Sequence, residues 1–567
     1  MHNFSRRFAL LLAPLVLAAC TTVAPSPAPG ASTGIVSAAD PRAAEAGAAI
    51  LRQGGTSTDA AIAVMLALTV VEPQSSGIGG GGFYLRGTPD GEVVTLDGRE
   101  TAPAAAGPDW FLDASGNPRP FPEAVVTGLS IGVPGNIALA AEAHERYGSL
   151  PWADLFAPAI TLARNGWEVT PRFHEFLRTS ANRAGLTAEG RALFYDSAGE
   201  PLAAGTVVRN PALAGTLEAL AQAGPAMFYH GPMAEQMAGV IAQVTPGEAR
   251  MAAADFASFS AAWRESPCGE YREYRICGMG PPSSGATTVY AVLKQLERFD
   301  LSALGPQSPT SWHLFAESQR LAYADRELYL ADSDFVSVPM AGLMDGDYLA
   351  SRGALISANT RMASATAGTP PGALAMADGD EPVENGTSHF VAIDRWGSAV
   401  SYTSTIEGGF GSGHMFGGFY LNNELTDYSF VPERDGVAVA NRVEGGKRPR
   451  SSMAPTLVYG PDGTLVLAIG AAGGGTIPIQ VAKALIGVID WGLPVEQAIA
   501  LPGLYSPGDA IVVEEGSPLL AMQAELEALG HTVQARRLPF KANAAQLVGG
   551  TWTGAADPRS EGVAVQP

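Results

Sequence analysis

The sequence predicts a layered protein that mixes helices and strands, of α+β or layered α/β class, and three observations carry that expectation. Two hairpin patterns stand in the last third of the chain, helical patterns recur before them, and 46% of the 567 residues are hydrophobic, enough for a large buried core. The first hairpin joins residues 388–394 to 399–405 through Asp394-Arg395-Trp396-Gly397. The second joins 456–459 to 464–469 through Gly460-Pro461-Asp462-Gly463 and runs on into Gly470-Ala471-Ala472-Gly473-Gly474-Gly475, with a helix at 477–488. Small and apolar residues from 43 to 71 read as one buried helix ending before Pro73, and further helices are expected at 137–147, 152–165, 211–223 and 311–329.

Residues 363–386 break the pattern. They are rich in Ala, Gly, Thr and Pro with little bulky apolar content, so an exposed, mobile stretch is expected, ending at a strand that begins abruptly at Thr387. That is how the junction of a cleavable propeptide would read.

The N-terminus has an export pattern: Arg6 and Arg7 precede an apolar run too short to span a bilayer, which ends in Leu17-Ala18-Ala19-Cys20. The pattern resembles a bacterial lipoprotein signal, which implies removal of residues 1–19, lipid on Cys20, a flexible tether over 20–33 and a membrane-anchored periplasmic protein. An ordinary secretory signal is the alternative. The formal charge of −21 argues against a nucleic-acid partner and directs attention to small-molecule or peptide substrates. Cys268 and Cys277 form either a disulfide or a pair of buried thiols, and with no histidine cluster nearby they offer no metal site.

Two motifs mimic other chemistries. Gly77 to Gly82 satisfies GxGxxG, but a helix precedes it and a strand follows, the reverse of a dinucleotide loop, so tight backbone packing is expected there. Gly128-Leu129-Ser130-Ile131-Gly132 satisfies GxSxG, yet Pro134-Gly135 interrupts the helix that a serine nucleophile would need.

Asn385-Gly386-Thr387-Ser388-His389-Phe390 resembles the processing site of the γ-glutamyltranspeptidase family. The resemblance continues in order through Gly54-Gly55, Asp59-Ala60-Ala61, Glu72-Pro73-Gln74-Ser75-Ser76-Gly77, Arg99-Glu100 with Ala102-Pro103, and Gly132-Val133-Pro134-Gly135. It extends through Pro281-Pro282-Ser283-Ser284-Gly285, Leu421-Asn422-Asn423, Lys447-Arg448-Pro449 and Ser451-Ser452-Met453, so it covers residue 34 to the end. It implies a four-layer αββα N-terminal-nucleophile (Ntn) hydrolase, one composite domain built from a large chain (20–386, its folded body from 34) and a small chain (387–567) after self-cleavage between Gly386 and Thr387.

The chemistry also follows from the residues. A threonine hydroxyl needs a base, and a Thr387 freed as a chain terminus supplies its own α-amine, whose ordinary pKa of roughly 7.7–8 suits neutral pH. By resemblance, Thr405 orients the nucleophile, Gly473 and Gly474 supply oxyanion donors, and Arg99, Ser451 and Ser452 hold the α-carboxylate of a γ-glutamyl group. Glu407, Glu424 and Asp427 are the candidates for its α-ammonium, and the connection from Asp427 to Ser451 is shorter than in long-lidded relatives. The expected reaction passes a γ-glutamyl group from glutathione or a related amide through a Thr387 ester to water or an amino-acid or peptide acceptor, without a cofactor. The rivals are a glutaryl (cephalosporin) acylase of the same fold and a non-catalytic envelope binding protein.

Overall fold

The computed structural model describes residues 34–379 and 386–567. The signal, Cys20 and the tether lie outside the described residues. Two antiparallel sheets form the centre. The first runs, edge to edge, through Val563–Val565, Ile35–Ala38, Ser388–Ile393, Ala399–Thr405, Gly81–Gly87, Val93–Gly98 and Ala262–Arg264. The second runs through Thr551–Ala556, Lys541–Val548, Leu465–Ala472, Thr456–Tyr459, Tyr274–Gly278 and Cys268–Tyr271.

The sheets face one another across an apolar layer in which Ile35, Leu85, Val391 and Ile393 meet Leu457, Leu465, Ala468 and Trp552. Outside the first sheet pack helices Pro41–Arg52, Ser57–Val71, Asn136–Tyr147 and Ala157–Asn165. Outside the second pack Gly285–Leu296, Pro309–Tyr329 and Ile477–Ile489. The result is the four-layer αββα sandwich, with strands from both sides of Gly386 in each sheet.

Both hairpins form where the sequence places them, the first in the register Ser404 opposite Ser388 and Ala399 opposite Ile393. The stretch 43–71 differs from expectation, being two helices rather than one. The chain turns at Gly54-Gly55, and Thr56 restarts it as a capping box in which its hydroxyl accepts from the Asp59 N–H and the Asp59 carboxylate accepts from the Thr56 N–H. Residues 152–165 begin as a 3-10 turn, Trp152–Phe156, before the α-helix Ala157–Asn165. Residues 363–379 contain no regular helix or strand, and residues 380–385 lie outside the described set.

Cys268 and Cys277 are disulfide-bonded across the hairpin they flank, as directly opposed residues. Among the described residues no helix is long and apolar enough to cross a membrane.

Candidate active site

Gly386 and Thr387 sit at the mouth of the central strand Ser388–Ile393. Gly386 has φ +113°, and a Cβ there would lie 1.7 Å from the Glu407 carbonyl oxygen, so only glycine fits. Thr387 itself has φ +88°, a strained conformation for a β-branched residue. Strain is therefore stored beside the bond expected to break.

The Thr387 hydroxyl is almost buried and donates to Thr405 Oγ1 at 3.2 Å, while Thr405 Oγ1 also accepts the Glu407 N–H at 2.8 Å. Hairpin pairing makes this meeting possible: Ser404 lies opposite Ser388, which leaves Thr405 beside Thr387 at the open end. The Gly473 N–H donates to the Gly386 carbonyl at 3.2 Å. Gly473 has φ +121°, and a Cβ there would strike the Pro539 carbonyl at 2.3 Å. From Gly473 the chain turns through Gly474–Thr476 into helix Ile477–Ile489, so the positive end of a helix dipole backs the same carbonyl.

One cavity is lined by Thr387, Thr405, Gly474 and Ile477 together with Arg99, Glu407, Glu424, Asp427, Ser451 and Met453. Arg99 follows strand Val93–Gly98 and is fully buried. Its guanidinium is ion-paired with Glu424 and Asp427, and donates to the Pro449 carbonyl at 3.2 Å and the Arg450 carbonyl at 2.8 Å. Burial works against that charge, but Glu424, Asp427 and Glu100 outweigh it and raise the Arg99 pKa. Burial pushes the Glu424 carboxyl well above the usual carboxylate range; Arg99 opposes the shift, and Glu100, Asp427 and Glu407 add to it. Glu407, at φ +71°, accepts from the Asn423 side-chain amide.

Ser451 lines the cavity, whereas Ser452 does not: its hydroxyl accepts from Arg326 at 2.6 Å. The Ser451 carbonyl is gripped by the Ser284 hydroxyl at 2.8 Å, which explains the motif Pro281 to Gly285 as a buttress for this segment. Between Asp427 and Ser451 the chain forms only a small hairpin, Glu433–Arg434 with Val437–Ala438, before returning to pack on Arg99.

The other motifs are supports. Asn422 ties the two glycine-rich segments together, donating to Gly79 O at 2.8 Å and Gly132 O at 2.9 Å and accepting from Gly132 N at 2.9 Å. Gly80 packs directly on the Thr405 carbonyl, so the GxGxxG run is a backbone contact behind the site. Ser130 spends its hydroxyl on the carbonyls of Val125 and Thr127 and is no nucleophile.

Sequence reasoning assigned no role to a second buried cluster beside Thr387. Lys541 Nζ donates to both oxygens of Glu72, at 2.7 and 2.6 Å, and Ser388 Oγ donates to the same carboxylate. The one signal was a charge at the end of an apolar helix, Glu72 before Pro73. His389, next in the chain, lies flat against Gly470 between the sheets, and burial pushes its pKa down to about 3, so it carries no charge at neutral pH.

Known proteins resemble the chain along nearly its whole length. The γ-glutamyltranspeptidase family profile matches residues 43–566. The glutathione hydrolase proenzyme of Bacillus subtilis (strain 168) is 35% identical over 550 residues, covering 94% of this chain and 91% of its own. The acylase ACY 1 proenzyme of Pseudomonas sp. (strain V22) is 35% identical over 551 residues, covering 95% and 94%. Among solved structures, a cephalosporin acylase from Bacillus halodurans superposes with a TM-score of 0.82 at 26% identity, covering 97% of this chain and 99% of that one. Sequence and fold thus converge, and the chain belongs to the γ-glutamyltranspeptidase family.

Proposed function

We propose that the chain is a self-processing γ-glutamyl amide hydrolase and transpeptidase acting on glutathione and related γ-glutamyl compounds. In the precursor, Thr387 Oγ1 attacks the Gly386 carbonyl carbon, the amide nitrogen leaves, and water opens the resulting ester to give a free Thr387. The Gly473 N–H already sits on the oxygen that gathers negative charge in that step. In turnover the Thr387 amine takes the hydroxyl proton, the hydroxyl attacks the γ-carbonyl, and the amine product departs with that proton. Water or an acceptor amine then releases the γ-glutamyl group.

The observation that carries this reading is the joint lining of one cavity by the two threonines and by Arg99, Ser451, Glu407, Glu424 and Asp427. A γ-glutamyl group brings a carboxylate for the guanidinium and an ammonium for the acids. A glutaryl group brings only the carboxylate. The 35% identity to an acylase favours that second reading, whereas the three acids favour the first. Losing a charge-assisted hydrogen bond costs about 1.5–3 kcal/mol, so γ-glutamyl p-nitroanilide should exceed glutaryl p-nitroanilide in kcat/KM by at least about tenfold. Equal or reversed preference would favour the acylase.

Intact mass spectrometry tests the processing: two chains, the second beginning at Thr387, against one chain for Thr387→Ala. Ser452 is proposed to act through its place beside Ser451. Residues 1–19 are proposed to be a lipoprotein signal and Cys20 the anchor, so Cys20→Ser should move the protein from the membrane to the soluble periplasmic fraction.

A further inference from the structure

Gly473 is held from behind as well as in front. Its N–H and the Ala472 carbonyl belong to one peptide unit, and in a planar trans peptide the two point in opposite directions. Whatever fixes the Ala472 carbonyl therefore aims the Gly473 N–H, which meets the Gly386 carbonyl at 3.2 Å. Gln480, buried near the start of helix Ile477–Ile489, does this: its Nε2 donates to the Ala472 carbonyl at 2.7 Å. The same nitrogen donates its second hydrogen to Thr476 Oγ1 at 3.1 Å, and the Thr476 hydroxyl donates to the Gly473 carbonyl at 2.8 Å. That carbonyl also accepts the Thr476 N–H at 3.2 Å, and it shares a peptide unit with the N–H of Gly474, the second expected oxyanion donor.

The Gln480 amide has one orientation. Its Oε1 accepts the Lys541 N–H at 2.8 Å, so a flip would set oxygen against the Ala472 carbonyl and NH2 against an N–H. Ala472 stands opposite Lys541 in the second sheet, and Gln480 bridges the two at the end of that ladder. Lys541 in turn grips Glu72, which accepts the Ser388 hydroxyl, so one lysine ties this bridge to the strand that begins beside Thr387. Gly473 and Gly474, at φ +121° and +56°, have no Cβ to resist rotation of the peptide between them. Side chains must supply the orientation that this backbone leaves free.

We propose that Gln480 is a positioning residue for the oxyanion-binding peptides: with Thr476 it anchors the carbonyls of Ala472 and Gly473 and so holds the Gly473 and Gly474 N–H groups toward the carbonyl oxygen under attack. The inference rests on the reading of Thr387 as nucleophile and Gly473 as oxyanion donor. Gln480 acts through the glycines and not on the donor's α-carboxylate or α-ammonium, so its loss falls on kcat rather than KM. Removing an oxyanion donor outright costs about 10²–10³ in rate, and loosening one costs less.

The variants are Gln480→Met, which keeps the length but donates nothing, and Thr476→Val beside Thr476→Ser, which delete and keep the other arm. Each is assayed as processed enzyme with γ-glutamyl p-nitroanilide, with rates divided by the processed chain counted by mass spectrometry. Gln480→Met should lose about ten- to a hundredfold in kcat with KM within about twofold of wild type. Thr476→Val should lose roughly three- to thirtyfold, because the Thr476 N–H stays on the Gly473 carbonyl, and Thr476→Ser should recover most of it. The discriminating readout is inhibition by the glutamate analogue in which a boronic acid replaces the γ-carboxyl group, since its tetrahedral adduct with Thr387 places an oxygen among the oxyanion donors. Its Ki should rise by the factor by which kcat falls, while the Ki of L-glutamate, a ground-state ligand, stays within about twofold. General loosening of the fold would raise both. The rate at which each precursor cuts itself reads the same N–H and should fall in the same order. The Thr476 pair stands even if Gln480→Met does not fold.

Wild-type kcat in folded Gln480→Met or in Thr476→Val, or equal losses of boronate and L-glutamate affinity, would overturn the proposal and leave the oxyanion role of Gly473 intact. A boronate that binds the wild-type enzyme no more tightly than L-glutamate does would instead overturn that role, and this inference with it.

Discussion

At Gly386 two constraints act on one residue, and both concern the bond before Thr387. Positive φ and a carbonyl 1.7 Å from any Cβ mean that Gly386→Ala must move the scissile peptide away from Gly473 and Thr387. The expected outcome is a folded precursor that processes at least about tenfold more slowly, followed by gel and intact mass over time. Wild-type processing of that variant would show that the observed placement is not what drives cleavage. Thr405 offers a subtler case, since Thr405→Val keeps the shape but deletes the oxygen that Thr387 and the Glu407 N–H both use. An unsatisfied buried donor costs about 1–3 kcal/mol, so kcat should fall roughly 5- to 150-fold, and Thr405→Ser should recover most of it. Thr387 and Thr405 were legible in the sequence because a hairpin of that length returns one to the other. The Gly473 contact with the Gly386 carbonyl was not legible as a contact, because it joins segments that only the second sheet brings together.

Among elements, the junction of three ends beside Thr387 is the least expected feature. Helix Ser57–Val71 terminates at Glu72, strand Lys541–Val548 begins at Lys541, and strand Ser388–Ile393 begins at Ser388, so the buried ion pair pins both sheets and the outer helical layer at one point. Burial alone would raise the Glu72 pKa, but Lys541 and Arg172 and the hydrogen bonds from Lys541 and Ser388 hold it below its ordinary value. Lys541→Met strands a buried carboxylate, and loss of one partner from such a pair costs about 3–5 kcal/mol. In that variant Glu72 can relieve the penalty only by taking a proton, so its folded pKa rises above the unfolded one. The deficit against wild type, read from urea midpoints, should therefore shrink as pH falls from about 7.5 toward 5. A deficit that stays constant or grows on acidification would show that the pair is not held as an ion pair. Periodicity located the helices and hairpins around this junction, although Gly54-Gly55 was needed to see that residues 43–71 make two helices. It could not order the strands, because strand order depends on long-range pairing that alternation of side chains does not encode.

For the whole molecule, the position of the cut relative to the sheets decides what processing does to the fold. In the first sheet, Ile35–Ala38 lies between Ser388–Ile393 and Val563–Val565, and Ala399–Thr405 pairs with Gly81–Gly87, so strands from the two sides of residue 386 interleave. The second sheet continues from Thr456–Tyr459 to Tyr274–Gly278 in the same manner. The proposed cleavage before Thr387 would break one covalent bond and none of these ladders. The two chains should thus co-elute as one species under native conditions and unfold together in a single urea transition seen by both tryptophan fluorescence and circular dichroism. Residues 387–567 produced alone would expose the faces of Ser388–Ile393 and Ala399–Thr405 that helix Ser57–Val71 covers, along with their unpaired flanks, and should aggregate rather than fold. If that piece instead folded as a soluble monomer with native-like circular dichroism, the sandwich would be two separable units, because a shared core cannot survive the loss of one outer layer and four strands of its first sheet.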